Sequence, residues 1–138
     1  MLLTKMVQLN QKKISSMNSF SNRIVNWYKK NGRHDLPWRK NISPYSIWIS
    51  EIMLQQTQVK TVIPYFNKFI EKYPNLEALI QASEDEILTQ WSGLGFYRRA
   101  KNIYKACRVI SENFNNKLPT HINDLESLPG IGRSTAGA

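Results

Sequence analysis

One carboxyl group near the middle of the sequence has the surroundings of a general acid. Glu51 is the only ionisable residue on a predicted helix most of whose circumference is apolar, through Ile47, Trp48, Ile49, Ile52, Met53 and Leu54. A helix that is apolar nearly all round is buried, and burial favours the neutral, protonated form of a carboxyl group. The alternative is that Ser46, Ser50 and Glu51 mark a narrow exposed stripe.

A run of polar side chains follows at the predicted end of this helix. Its members are Gln55, Gln56, Thr57 and Gln58. Amides and hydroxyls can hydrogen-bond to the edges of nucleic-acid bases, but they also suit an ordinary polar loop between helices. Both interpretations stay open at this point.

Two glycine turns share one five-residue pattern. In order, its positions hold an apolar residue, any residue, glycine, a second apolar residue and a second glycine. The first begins at Trp91 and has Leu94 at its centre, and the second begins at Leu128. Glycines permit tight turns that bring backbone N–H groups to a phosphate, so both turns are predicted to hold a DNA backbone. A nucleotide-binding glycine loop would follow a β-strand, and neither turn does.

Two aromatic residues, Phe96 and Tyr97, follow the first turn. They are either part of the core or surface rings, one of which wedges into a base step. The helix predicted next has a core face formed by Ala100, Ile103, Cys107, Ile110 and Phe114 and a basic face formed by Arg98, Lys101, Lys105 and Arg108. The basic face is either a phosphate-binding surface or ordinary solvated helix, and Cys107 is expected to be buried rather than nucleophilic.

Charge and composition limit the class of protein. The 138 residues carry 19 Lys and Arg against 10 Asp and Glu, a net charge of +9, which favours a nucleic-acid partner but also fits a solvated basic surface. One cysteine provides no disulfide framework and no metal cluster within the chain. No membrane segment or signal peptide is recognisable, so an intracellular, reducing location in the cytoplasm or nucleoid is expected.

The periodicity predicts an all-α fold. The polar, aperiodic residues 1–17 are expected to form a flexible extension. Helices are predicted around Phe20 to Tyr28, Ser43 to Leu54, Val59 to Ile70, Leu76 to Gln81, Ile87 to Trp91 after a Ser83 capping box, and beyond Gly95. No segment alternates with a period of two residues, so no sheet is assigned.

Several of these motifs together resemble one family. They are Leu36 to Arg39, Ser43 to Tyr45, Trp48 to Val59, Val62 to Phe66, Trp91 to Gly95 and Leu128 to Ala138. In register from about Ile24 to Ala138, the chain is similar to the N-terminal part of MutY-type adenine DNA glycosylases. The resemblance implies a helix-hairpin-helix glycosylase fold, with residues 18–138 as part of its catalytic domain, truncated within the second helix of the hairpin motif.

The resemblance also implies a reaction and a substrate. The family removes adenine paired with 8-oxoguanine or guanine in double-stranded DNA, and a monomer is expected. Glu51 matches the general acid that protonates the flipped adenine and then handles the attacking water. Residues that match the lining of the adenine pocket are Trp38, Arg39 and Leu54. Gln56 and Thr57, next to Gln55, match the segment that contacts the oxidised guanine and the gap left by the flipped base.

The two glycine turns also carry family positions. Phe96 stands where the family commonly has a tyrosine that wedges beside the oxidised guanine, so the ring is kept and its hydroxyl is lost. Gly130 and Gly132 match the phosphate-binding hairpin. Ser134 stands where the endonuclease III-like glycosylase-lyases have a lysine that forms an imine, which serine cannot form. The resemblance therefore implies a monofunctional glycosylase.

Other family features have no match within the chain. The catalytic aspartate, the four cysteine ligands of a [4Fe-4S] cluster and the C-terminal recognition domain would lie beyond Ala138, and Cys107 matches none of the ligands. The 138 residues alone are therefore expected to be inactive. The alternative is a non-catalytic DNA-binding remnant or a non-functional product of an interrupted gene.

Overall fold

The computed structural model describes residues 36–40 and 42–131, and within them every regular element is helical. The predicted extension over residues 1–17 and the helix predicted around Phe20 to Tyr28 lie outside the described residues. A short 3-10 turn, Pro37–Arg39, precedes α1 (Pro44–Leu54), α2 (Val59–Lys72), α3 (Leu76–Ile80), α4 (Glu84–Gln90), α5 (Arg98–Asn113) and α6 (Ile122–Glu126). The prediction of an all-α fold is confirmed for this part of the chain.

The helix starts follow from local capping. The Ser43 hydroxyl accepts a hydrogen bond from the Ser46 N–H, and Pro44 occupies the first turn, where a missing N–H costs nothing. Ser83 and Glu86 form the predicted capping box. Because Ser83 is itself the N-cap, α4 begins at Glu84, three residues before the start predicted from the apolar pattern.

Helix α1 lies at the centre of the core. Four of its apolar side chains, Ile47, Trp48, Ile49 and Met53, are completely buried. It packs against α2 and the 3-10 turn, while α5 packs against α3 and α4. The Tyr45 hydroxyl, at the start of α1, donates a hydrogen bond of 2.6 Å to the Tyr73 carbonyl at the end of α2. Helix α1 is thus fixed on several sides, which gives any side chain on it a defined position.

Helix α5 has the predicted core face, and its basic face is smaller than predicted. Ala100, Ile103 and Cys107 are buried, whereas Arg98, Lys101 and Lys105 are exposed. The assignment of Arg108 to the basic face is wrong. Its guanidinium donates to the Ile80 carbonyl and lies 5.3 Å from the centre of the Tyr104 ring, so it joins α5 to α3.

The Cys107 thiol is expected to be unreactive in the folded protein. The side chain is completely buried, and burial raises the pKa of Cys107 to about 12, so the nucleophilic thiolate is absent at pH 8. Reaction with a water-soluble disulfide reagent should be more than about 100-fold slower in buffer than in denaturant. The absorbance of the released thiolate measures both rates, and equal rates would show that the thiol is accessible.

Candidate active site and nucleic-acid interface

Glu51 is half-buried on the most deeply buried helix of the described residues. The alternative of an exposed stripe is wrong, because Ser46 and Ser50 are only 7% and 3% exposed. The Ser50 hydroxyl donates a 2.8 Å hydrogen bond to the Ile47 carbonyl, which satisfies its polar group inside the helix. Glu51 therefore stands at the border between the core and the surface.

The polar run that follows α1 contains a residue with a strained backbone, Gln56. Gln55 caps the helix in an extended conformation, and Gln56 has a φ of 58°, in the left-handed region that side chains disfavour. The Gln56 side chain is exposed, whereas Thr57 is half-buried. Strain of this kind persists only where surrounding contacts enforce it, and it is frequent at functional sites.

The first glycine turn is a hydrogen-bonded turn with its aromatic residues outside. The Leu94 N–H donates to the Trp91 carbonyl at 3.0 Å, and Gly93, the third residue, has a φ of +93°, as a type II turn requires. Trp91 and Leu94 are buried and anchor the turn, and the Leu94 N–H is already used within it. Phe96 and Tyr97 are 58% and 45% exposed, so a core role for them is excluded.

The second glycine turn has the same construction. The Ile131 N–H donates to the Leu128 carbonyl at 3.0 Å, and Gly130 has a φ of +85° after Pro129. A Cβ at Gly130 would lie 3.2 Å from the Cβ of Asn102, so this turn sits closely on α5. The shared pattern of the two turns is confirmed. Gly132 and Ser134 lie outside the described residues.

Arg99, which belongs to none of the sequence motifs, connects the end of α1 with the first glycine turn. It is 7% exposed, and its Nη1 donates to the carbonyl oxygens of Ile52, Met53 and Gln55 at 3.0, 2.5 and 2.7 Å. Its Nη2 donates to the Gly95 carbonyl at 3.1 Å, and its Nε to the Phe96 carbonyl at 3.4 Å. Burial lowers the pKa of Arg99.

A signal for Arg99 was present in the sequence. Arg99 directly follows Arg98 of the basic face, but it lies four residues before Ile103 of the core face. This spacing places Arg99 on the core side of α5. A lone arginine on a core face must bind buried carbonyls or carboxylates, because an unpartnered buried charge is very costly. Which carbonyls it binds depends on tertiary packing, which periodicity does not reveal.

The residues predicted to line a base pocket are only partly described. Trp38 is buried and meets the Phe66 ring edge to face, with 5.3 Å between ring centres, whereas Leu54 is half-buried against the core. The side chain of Arg39 lies outside what the structure describes. Among the described residues no side chains cluster as metal ligands, and no helix there is long and apolar enough to cross a membrane.

Gly93 and Gly95 differ in what an added methyl group would meet. A Cβ at Gly93 would overlap the Tyr65 hydroxyl oxygen, whereas one at Gly95 meets no atom within 4 Å. Both residues have positive φ, so Gly95→Ala should lower the free energy of unfolding by about 1 kcal/mol and Gly93→Ala by about 3 kcal/mol. Urea unfolding measures both, and Tyr65→Phe should recover part of the Gly93→Ala loss. Equal losses would show that the contact with Tyr65 is unimportant.

Comparison with known proteins shows the family to which the chain is similar. The sequence model for the HhH-GPD superfamily of base excision DNA repair proteins matches residues 49–135, which include Glu51 and both glycine turns. The adenine DNA glycosylase of Buchnera aphidicola subsp. Schizaphis graminum is 60% identical over 119 residues, which are 86% of this chain and 34% of that protein. The adenine DNA glycosylase of Rattus norvegicus is 40% identical over 134 residues, 91% of this chain and 26% of that protein.

A solved structure has the same fold. A thermostable thymine-DNA glycosylase superposes with a TM-score of 0.67 and 29% sequence identity, covering 88% of this chain and 56% of that one. The chain spans about a third of the length of the Buchnera relative and about a quarter of the length of the rat relative.

Proposed function

Because the chain belongs to the HhH-GPD superfamily of base excision DNA repair proteins, we propose that it carries the general acid and the lesion-contacting surface of an adenine DNA glycosylase. The substrate is double-stranded DNA in which adenine faces 8-oxoguanine or guanine, and the reaction is hydrolysis of the N-glycosidic bond. Residues 18–138 form the N-terminal part of the catalytic domain, acting as a monomer in the cytoplasm or nucleoid.

The observation that carries this proposal is the arrangement around Arg99. One guanidinium holds the carbonyls of Gln55 and Phe96, so the exposed Gln56 side chain and the exposed Phe96 ring belong to one surface. Glu51 lies one helical turn before Gln55 on α1. This arrangement supports the proposal that Glu51, the polar segment and the Phe96 ring act together on a base taken out of the duplex.

The proposed roles of the residues rest on the family resemblance, and the chemistry of each side chain is consistent with its role. Phe96 stacks in the duplex beside the lesion, while Gln56 and Thr57 face the oxidised guanine and the gap that the extruded adenine leaves. Glu51 gives its proton to the adenine, which weakens the bond to the sugar, and the resulting carboxylate orients the attacking water. Gly130 and Gly132 present backbone N–H groups to a phosphate, and Trp38, Arg39 and Leu54 border the base.

A [4Fe-4S] cluster does not fit the residues of this chain. Such a cluster takes four cysteine thiolates, and the sequence has one cysteine. That residue, Cys107, is completely buried with its pKa raised to about 12, so it is a core side chain rather than a ligand. The 138 residues therefore supply no ligand set for such a cluster.

The test is an excision assay that separates base loss from strand cleavage. Because relatives are longer, the chain is assayed alone and joined to the remaining C-terminal residues of the Buchnera aphidicola subsp. Schizaphis graminum protein; we call this second protein the chimera. The chimera should convert A:8-oxoguanine and A:G duplexes, but not A:T, to abasic sites that break only after alkali. Strand cleavage without alkali would contradict the role of Ser134, which cannot form an imine. Absence of base loss in the chimera would contradict the proposed function.

A further inference from the structure

The partners of Arg99 suggest a task beyond stability. Its hydrogen bonds go to backbone carbonyls at the end of α1 and in the first glycine turn. We propose that Arg99 is a positioning residue that sets the Phe96 ring and the Gln56-Thr57 segment at the relative position needed to recognise the lesion. This inference rests on the proposed function and adds a specificity-determining residue to it.

On the helix side, Arg99 occupies the place of a helix cap. The last carbonyls of a helix have no partners within it and carry partial negative charge, which a cation satisfies well. Nη1 contacts the carbonyls of Ile52, Met53 and Gln55. The Gln55 carbonyl belongs to the peptide unit that leads into Gln56, whose backbone is in the left-handed region. By fixing that peptide unit, Arg99 fixes the direction in which Gln56 leaves the helix.

On the turn side, Arg99 holds both the backbone and the ring of Phe96. Its guanidinium donates to the Gly95 and Phe96 carbonyls and lies 5.5 Å from the centre of the Phe96 ring. The buried Trp91 ring lies 5.4 Å from the same guanidinium. The Phe96 ring is mostly exposed, yet it has a charged plane beside it that restricts its orientation.

Only a guanidinium can hold the end of α1 and the first glycine turn at the same time. The side chain uses nitrogens Nε, Nη1 and Nη2 toward two segments, whereas lysine has a single nitrogen at the end of a flexible stem. Arg99→Lys therefore keeps the charge and can hold one segment, but it cannot hold both. A residue that only stabilises the fold would affect all functions alike, whereas a residue that aligns two segments should affect lesion recognition most.

The first experiment needs no DNA. Amide hydrogen exchange is followed by mass spectrometry in the full chain, in Arg99→Lys and in the matched control Arg108→Lys, which weakens an arginine-to-carbonyl bond elsewhere on α5. Arg99→Lys should raise exchange about tenfold at residues 55–57 and 93–97 together. Arg108→Lys should leave these two segments at the native rate. A rise in only one segment, or loss of cooperative unfolding in Arg99→Lys, would overturn the proposal.

The second experiment measures binding by the chimera. Arg99→Lys should weaken binding to an A:8-oxoguanine duplex about tenfold and to an undamaged A:T duplex less than about twofold. If Arg99 acts through Phe96, adding Phe96→Ala to Arg99→Lys should cause little further loss beyond the larger single effect. Equal weakening on both duplexes, or losses that multiply, would overturn the positioning role. If the chimera releases no adenine but Arg99→Lys still raises hydrogen exchange at residues 55–57 and 93–97, the proposed function is contradicted and the positioning role of Arg99 is not.

Discussion

Glu51→Gln in the chimera should reduce single-turnover excision of adenine opposite 8-oxoguanine about 1000-fold, within the range that general-acid help contributes. Glutamine keeps the size of the side chain and its place on α1, but it has no acidic proton. Glu51 is half-buried at the border of the core, so the substitution should leave the packing of α1 unchanged. Rates are measured with enzyme in excess and with alkali to reveal abasic sites.

A matched control separates loss of the proton from loss of negative charge. Glu71, on α2, is an exposed carboxylate outside the proposed site, and Glu71→Gln makes the same chemical change. It should excise at the native rate. Both variants should bind the duplex within about threefold of the parent, because phosphate contacts supply most of the affinity. A Glu51→Gln protein that excises near the native rate would place the acid elsewhere.

Phe96→Ala should have the second-largest effect. Stacking of a base on an aromatic side chain contributes about 1 to 3 kcal/mol, so affinity for the A:8-oxoguanine duplex should fall about tenfold or more. The ring is 58% exposed, so its loss should change the free energy of unfolding much less. Phe96→Tyr keeps the ring and should bind at least as tightly as the parent. Fluorescence anisotropy gives the affinities and urea unfolding the stabilities.

A different outcome would assign the ring another role. If Phe96→Ala loses stability in proportion to affinity, the ring serves as the partner of Arg99 within the protein rather than as a wedge in DNA. If neither property changes, the first glycine turn does not face the duplex.

Local sequence rules predicted the helices well. Ser43 with Pro44 and the Ser83 capping box determine helix starts through contacts within three residues, which a sequence displays directly. The burial of α1 also followed from its uniform apolarity. The apolar pattern alone predicts too late a start for α4, because that pattern begins a turn after the cap. The sequence pattern does not give the bounds of helix α6, since five residues are too few to show a period.

The partners of the arginines on α5 could not be predicted from the sequence. Arg98, Arg99 and Arg108 are identical in type and lie on one helix, but only Arg98 is exposed as a solvated or phosphate-facing charge would be. Arg99 and Arg108 bind carbonyls of other segments, Gln55 and Ile80 among them, at separations of 44 and 28 residues. Helical periodicity gives the face on which a residue lies, but it carries no information about the carbonyls that tertiary packing brings to that face.

The family resemblance supplied what periodicity could not. Spacing alone leaves Glu51 open between a buried acid and an exposed stripe, and the structure excludes the stripe through the burial of Ser46 and Ser50. The role of Glu51 as a proton donor rests on similarity, as do those of Trp38 and Gln56. These roles therefore remain predictions that the substitutions above can test.

The most direct test identifies the base that is released. The chimera and its Glu51→Gln variant are incubated with A:8-oxoguanine and T:G duplexes, and free bases are quantified by mass spectrometry against abasic sites. We expect one free adenine per abasic site from the A:8-oxoguanine duplex, no thymine from T:G, and almost no adenine from the variant. Release of thymine from T:G, or adenine release that does not depend on Glu51, would contradict the assignment of this chain to Glu51-dependent adenine excision.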